Sequence, residues 1–201
     1  MKNHRFNDSL ISFALLTVPF YAVIFAFKES PLNYTFSMIG NWFENRINFI
    51  IWGLITATLL LISIIHIFNK TKFENKQAHR LAKLSMLFLV LTVITPTANN
   101  EAIYSELEGK MSFINLHGIF GFIFGLFLLI SLFLFSRYLS AINKETSIKS
   151  IRLLLITVGG SILTLFIFGM TGIFELFFFL SLSVFLIITN KEIKKNKNGN
   201  V

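Results

Sequence analysis

Residues 118–135 read GIFGFIFGLFLLISLFLF, a run of eighteen residues without a single charge. An apolar run of about 20 residues is long enough for a helix to cross roughly 30 Å of hydrocarbon. Five further apolar runs occur along the chain, and the six predicted spans are 9–27, 47–68, 84–98, 118–135, 152–169 and 174–190. The sequence therefore predicts an all-α integral membrane bundle of six transmembrane helices, formed as one domain by residues 1–190.

The composition supports this fold class. Of the 201 residues, 54% are hydrophobic and 14% are charged, and the mean hydropathy is +0.71. Soluble domains carry about 25% charged residues, so this chain is far from the soluble norm. The run 9–27 is predicted to be a retained anchor, because Phe27-Lys28-Glu29 lacks the small residues of a signal-peptide cleavage site.

The basic residues are concentrated in alternate loops. Fifteen of the eighteen Lys and Arg residues lie in segments 1–8, 69–83, 137–152 and 191–201. The remaining three lie in segments 28–46, 99–117 and 169–175, together with six of the ten acidic residues. Cytoplasmic loops are the ones enriched in Lys and Arg. Both termini, including a basic tail at 191–201 for which no fold is predicted, are therefore expected in the cytoplasm.

The distribution of charge and of metal-ligating residues excludes several classes of protein. The net charge of +8 could indicate a nucleic-acid partner, but the excess lies in the cytoplasmic segments, where orientation and anionic lipid explain it. There are no cysteines, and only one histidine, His117, falls on the outer side. A metal site is therefore not expected, no cofactor motif is present, and membrane lipid is the expected partner.

The first outer loop supplies one group of candidate site residues. Ser37 and Asn41 lie in a turn of low charge, and Arg46, Asn48 and Trp52 follow at the start of the second span. The functional interpretation is a cation and amides lining an outer-face pocket. The structural alternative is an interfacial anchor, because Trp and a snorkelling Arg are common at span ends.

His117, at the outer start of the fourth span, is a second candidate. Gly121 and Gly125 follow it at i+4 and i+8 on the same helix face, where missing side chains allow another helix to approach. His117 is thus expected to point into the bundle, where an ionisable residue is a functional candidate. The alternative is a histidine hydrogen-bonded as part of packing. Gly159-Gly160, inside the fifth span, are also predicted to allow close helix packing.

Glu175 is the only acidic residue at the start of a predicted span. A carboxylate there interacts favourably with the positive end of the helix dipole, so capping is one interpretation. The other is that Glu175, His117, Arg46 and Asn41 converge on one pocket at the outer face.

Three stretches of the chain carry a resemblance to a known family. They are YTFSMIGN at 34–41 with Arg46 and FIIWG at 49–53, Leu116-His117-Gly118, and FGMTGIFE at 168–175. The chain resembles the small bacterial six-span proteins catalogued as domain of unknown function 998. The resemblance covers nearly the whole chain and implies six helices and a membrane location. The Lys-, Asn- and Ile-rich composition is typical of a low-GC bacterium, so the plasma membrane is the expected location. It implies no activity and no catalytic residue.

Three functions remain open on the sequence alone. The first is binding or movement of a small or lipid-like ligand through an outer-face pocket. The second is an accessory or sensory subunit that packs against the helices of a partner membrane protein. The third is a lipid-modifying enzyme at the outer interface, with His117 as acid–base and Arg46 holding an anionic headgroup. No catalytic motif is present, which disfavours the enzyme.

Overall fold

A computed structural model describes residues 2–97 and 107–199 of the chain. Within these ranges the secondary structure is entirely helical. The helices are α1 (Lys2–Ala26), α2 (Phe36–Trp42), α3 (Arg46–Lys70), α4 (Lys76–Ile94), α5 (Leu107–Tyr138), α6 (Lys144–Phe168) and α7 (Gly172–Gly199), with one short 3₁₀ turn at Leu139–Ala141. The predicted all-helical class is confirmed.

Among the described residues, five helices, α3 to α7, are long and apolar enough to cross a membrane. Ile11–Ala26, within α1, is a shorter apolar helix. Large apolar side chains cover the outside of the bundle: Phe166 is 83% exposed and Phe20 is 67% exposed. Such helices are typical of a multi-pass membrane protein, whose outward side chains face lipid.

The six long helices pack in a closed ring. The order around the ring is α1, α3, α4, α5, α6 and α7, and α7 completes the ring by packing against α1. Only residues 169–171 separate α6 from α7, so these two helices run antiparallel. The contact between α4 and α5 is the most extensive of the ring, and that between α5 and α6 is the least.

Hydrogen bonds between helix ends define the two ends of the bundle. At the basic end, Lys70 Nζ donates to Asn190 Oδ1 over 3.0 Å, and the Tyr138 hydroxyl donates to the Thr71 carbonyl over 3.1 Å. At the other end, here called the capped end, α2 lies over the start of α3 and beside the end of α1. Three of the Lys- and Arg-rich segments, 69–83, 137–152 and 191–201, thus meet at one end.

Helix α2 forms because its first turn is capped and one face is apolar. Thr35 Oγ1 accepts a hydrogen bond from the Met38 N–H over 3.1 Å, which is a typical N-cap contact. Phe36 and Ile39 are buried. A methyl group at Gly40 would lie 2.6 Å from Cβ of Phe49, so glycine at this position allows α2 to lie close to α3.

The structure differs from the sequence expectations in three places. The turn expected around Ser37–Asn41 is a short helix, α2. Trp52, expected at the interface, is 2% exposed because aromatic side chains surround it. Helix α7 continues past residue 190 to Gly199, and Ile193 in this extension is buried in the core. The end of the predicted span 84–98 and part of the predicted loop 99–117 lie outside the described residues.

Candidate functional site

A cavity of about 340 Å³ lies at the capped end of the bundle. Its walls come from α3, α4, α5 and α7, and the first turn of α2 covers it. Of the predicted pocket residues, three side chains line it: Ser37, His117 and Glu175. Predicted residues from three distant parts of the sequence are therefore brought to one site.

Glu175 is positioned by contacts between α7 and the loop that precedes α2. The N–H of Gly172 donates to the Tyr34 carbonyl over 2.8 Å, and the N–H of Ile173 donates to the Pro31 carbonyl over 3.1 Å. These bonds satisfy N–H groups that a helix start leaves without intrahelical partners. In return, the Phe36 N–H donates to Oε2 of Glu175. The carboxylate thus joins α7 to the cap helix.

His117 and Ser37 are two further polar residues of the cavity wall. His117 Nδ1 lies 3.2 Å from the carbonyl oxygen of Thr95, just after the end of α4. Ser37 Oγ lies 2.8 Å from Thr35 Oγ1, and both of these residues line the cavity. Imidazole and hydroxyl groups can both donate and accept hydrogen bonds, so this wall is able to bind a polar headgroup.

Arg46 and Asn41 form a separate network beside the cavity and are not among its lining residues. Arg46 Nη1 donates to Asn41 Oδ1 over 2.9 Å, and Asn41 Nδ2 donates to the Ser37 carbonyl over 2.6 Å. Arg46 also donates to the Ile94 carbonyl in the last turn of α4. A cation at a helix C-terminus is stabilised by the helix dipole. This network fastens α2 to α3 and α4.

Asn48 belongs to a third group, at the outer surface of the capped end. Its Nδ2 donates to Asn45 Oδ1 over 3.4 Å, and Lys28 Nζ donates to the same oxygen over 2.9 Å. Asn48 does not line the cavity.

The glycines of α5 leave space where side chains would otherwise fill the cavity. No atom lies within 4 Å of where a Cβ of Gly125 would be, and at Gly121 the nearest atom, Thr92 Cγ2, is 3.7 Å away. Both glycines line the cavity. On α6, Gly159 likewise has no neighbour within 4 Å, whereas a Cβ on Gly160 would lie 2.3 Å from Cζ of Phe177. Close helix approach is thus seen at Gly160.

The cavity opens sideways between α5 and the turn that joins α6 to α7. Four lining residues are exposed on the outside of the bundle: Gly118, Phe122, Leu165 and Met170. Phe122 is 71% exposed and Met170 is 73% exposed. The opening is therefore bordered by apolar side chains and coincides with the weakest helix contact of the ring, between α5 and α6.

Aromatic side chains form the inner wall, and the sequence analysis did not select most of them. The Trp52 ring meets Phe36 and Phe179 edge-to-face, with centroid distances of 5.1 Å in both pairs. Eight of the twenty lining residues are aromatic. With 25 Phe in the chain, aromatic residues at helical spacing carry no signal that separates a cavity wall from a lipid-facing surface.

Within the described ranges, no group of three or more His, Cys, Asp or Glu side chains is arranged to hold a metal ion. Comparison with known proteins adds no further constraint: no protein-family model, curated protein or solved structure matches this chain.

Proposed function

We propose that this chain is a six-span protein of the bacterial plasma membrane that binds one lipid-like amphiphile in the capped-end cavity. The α1 segment Ile11–Ala26 supplies the sixth span, and both termini lie in the cytoplasm. Support for this orientation comes from the Lys- and Arg-rich segments, three of which meet at the basic end. The cavity then faces the outer leaflet.

The observation that carries the proposal is the amphipathic, sideways-open cavity itself. Its polar groups, Ser37, His117 and Glu175, lie at the capped end, whereas the lining of α5 continues to Gly125. Gly125 is seven residues beyond Gly118, which corresponds to about 10 Å along a helix that rises 1.5 Å per residue. Leu89 and Phe124 line the cavity as well. A ligand with a polar head and an apolar chain matches this division.

The volume of the cavity and the position of its opening suit such a ligand. Cavities that bind small molecules have volumes of about 300–1,000 Å³, and this one is about 340 Å³. The opening beside Phe122 and Met170 is on the side of the bundle, where the apolar surface of a membrane protein meets lipid. An amphiphile is therefore able to enter from the bilayer without passing through water.

The proposal is tested by measuring the binding of amphiphiles to the wild type and to a variant in which a new side chain fills the cavity. We expect wild-type protein in maltoside micelles to bind at least one twelve-carbon amphiphile (dodecylamine, dodecanol or dodecanoate) saturably and at 1:1 stoichiometry, by native mass spectrometry. Gly125→Leu places a side chain in the empty space and is expected to weaken that binding roughly tenfold or more, about 1.4 kcal/mol.

Gly159→Leu is the matched control, because Gly159 also has open space around its Cβ position but lies outside the cavity, on the surface of α6. It is expected to bind like the wild type. Absence of saturable binding of all three amphiphiles to the wild type, or equal binding by Gly125→Leu, would contradict the proposed function.

We also propose membership of the family catalogued as domain of unknown function 998. The resemblance is carried by 34–41 with Arg46 and 49–53, by 116–118 and by 168–175, and residues of all three stretches line the cavity at the capped end. Ser37, His117 and Glu175, one from each stretch, line the cavity. Each stretch that carries the resemblance thus contributes a residue to the cavity.

A second candidate function, packing against a partner membrane protein, is favoured by α6. It is the least buried of the five long apolar helices, with 17% of its apolar window buried. Leu155, Gly159 and Phe166 lie on its exposed side. A photo-crosslinking residue at Phe166 tests this in membranes: a discrete protein adduct is expected for a partner, and adducts with lipid alone would exclude one at this face.

A further inference from the structure

We infer that the capped-end cavity selects an amphiphile with a positively charged ammonium head, bound by the carboxylate of Glu175. This inference rests on the proposed function and specifies its ligand. It is supported by the charges that line the cavity, by the hydrogen bonds of the carboxylate and by the aromatic wall.

The ionisable side chains of the cavity wall favour a cationic ligand. Among the described residues that line the cavity, Glu175 is the one acidic residue, and none is Lys or Arg. The nearby guanidinium of Arg46 is occupied by Asn41 and by the carbonyl of Ile94. His117 is the other ionisable lining residue, and its Nδ1 lies against the carbonyl of Thr95. An anionic headgroup would therefore meet the Glu175 carboxylate, with no Lys or Arg among the described lining residues to contact it.

The hydrogen bonds of Glu175 leave half of its carboxylate available. Oε2 accepts the N–H of Phe36. Among the described residues, no side chain or backbone group donates to Oε1, and no cation forms an ion pair with the carboxylate. An oxygen of this kind can accept a hydrogen bond from a ligand, and its burial without a donor is costly. An ammonium group supplies both the missing donor and the missing charge.

The aromatic wall adds a second attraction for a cation. Phe174 and Phe178, one helical turn apart on α7, line the cavity on either side of Glu175 in sequence, and Trp52 and Phe179 lie on its inner wall. Faces of aromatic rings attract cations through their quadrupole, by ~0.5–2 kcal/mol or more when water is excluded. The same rings are apolar enough to contact the alkyl chain. A carboxylate beside aromatic rings is thus suited to an ammonium amphiphile.

The test compares three ligands that share one chain and differ in head charge. Wild-type protein in maltoside micelles is titrated with dodecylamine, dodecanol and dodecanoate at pH 7.5, and 1:1 adducts are counted by native mass spectrometry. We expect dodecylamine to bind at least about tenfold more tightly than dodecanol, and dodecanoate to bind most weakly. This comparison needs no variant.

Glu175→Gln then removes the charge while keeping an oxygen that accepts the Phe36 N–H. It is expected to lower the affinity for dodecylamine about tenfold and to leave that for dodecanol unchanged. Thermal unfolding of this variant checks that the bundle is intact.

The outcomes separate the inference from the proposed function. Equal or tighter binding of dodecanol or dodecanoate by the wild type overturns the ammonium inference but leaves a ligand site. Equal loss of all three ligands in Glu175→Gln also overturns it, because the residue would then act only through the fold. Absence of all binding by the wild type removes the proposed function together with the inference.

Discussion

The carboxylate of Glu175 accepts a hydrogen bond from the backbone N–H of Phe36, which lies 139 positions earlier in the chain. Phe36 is the first residue of α2, and Glu175 is in the first turn of α7. This bond therefore joins the cap helix to α7 and fixes a carboxylate in the cavity wall. The capping and pocket interpretations of Glu175 are compatible, because its two oxygens have different environments.

Removal of this carboxylate is predicted to loosen α2. Glu175→Ala leaves the Phe36 N–H without its acceptor, and hydrogen bonds to charged groups contribute about 1.5–3 kcal/mol. We expect a lower midpoint of thermal unfolding in detergent and faster hydrogen exchange in Phe36–Trp42. Glu175→Gln, which retains an acceptor, is expected to lose less than half as much stability. Equal loss in both variants would show that the charge, and not the hydrogen bond, holds the helix.

Gly53 is predicted to be a packing position between α3 and α4. A Cβ at Gly53 would lie 2.4 Å from Cγ1 of Val93, a buried residue of α4. Gly53→Ala is therefore expected to destabilise the protein by about 1–3 kcal/mol, the usual cost of overpacking. The measurement is the midpoint of thermal unfolding in detergent.

Two further variants identify the cause of the Gly53→Ala effect. Gly159→Ala is the matched control, since Gly159 is also inside a long helix and has no neighbour within 4 Å; alanine there is expected to be neutral or stabilising. Val93→Ala creates room beside Gly53, so the double variant Gly53→Ala/Val93→Ala is expected to be more stable than the sum of the single changes. Additive effects would show that Val93 is not the obstacle.

Much of the fold could be predicted from the sequence, because a membrane span is recognised from the hydropathy of a long stretch of residues. The five long apolar helices α3–α7 overlap predicted spans, although α4 runs from Lys76 to Ile94 where the span 84–98 was predicted. The segregation of Lys and Arg also predicted that segments 69–83, 137–152 and 191–201 share one end of the bundle, where they are in contact. Helix α2 escaped prediction, because seven residues are too few for a periodic apolar pattern to be recognised. The buried position of Trp52 was missed for another reason: its surroundings, Phe36 and Phe179, come from distant segments.

The site was only partly accessible from the sequence. Residue type and position were enough to select His117 and Glu175, since ionisable groups at span ends are few. A glycine in a helix, in contrast, can either allow a neighbouring side chain to approach or leave an open space, and the spacing of glycines in the sequence does not distinguish the two. At Gly160 the missing side chain lets Phe177 approach, whereas at Gly125 it leaves a cavity. Arg46 was selected for its charge, but its contacts with Asn41 and Ile94 depend on how three helices close.

The proposed orientation predicts which exposed residues can be labelled from outside the cell. The chain contains no cysteine, so single replacements are informative. Ser30 is exposed at the capped end and Ser140 is exposed at the basic end. A membrane-impermeant maleimide is expected to label Ser30→Cys in intact cells and Ser140→Cys only after lysis, because the Lys- and Arg-rich end remains in the cytoplasm. Labelling of Ser140→Cys alone in intact cells would invert the protein and place the cavity at the inner leaflet. Labelling of both residues in intact cells would contradict the proposed topology. It requires an even number of spans between residues 30 and 140, where α3, α4 and α5 make three.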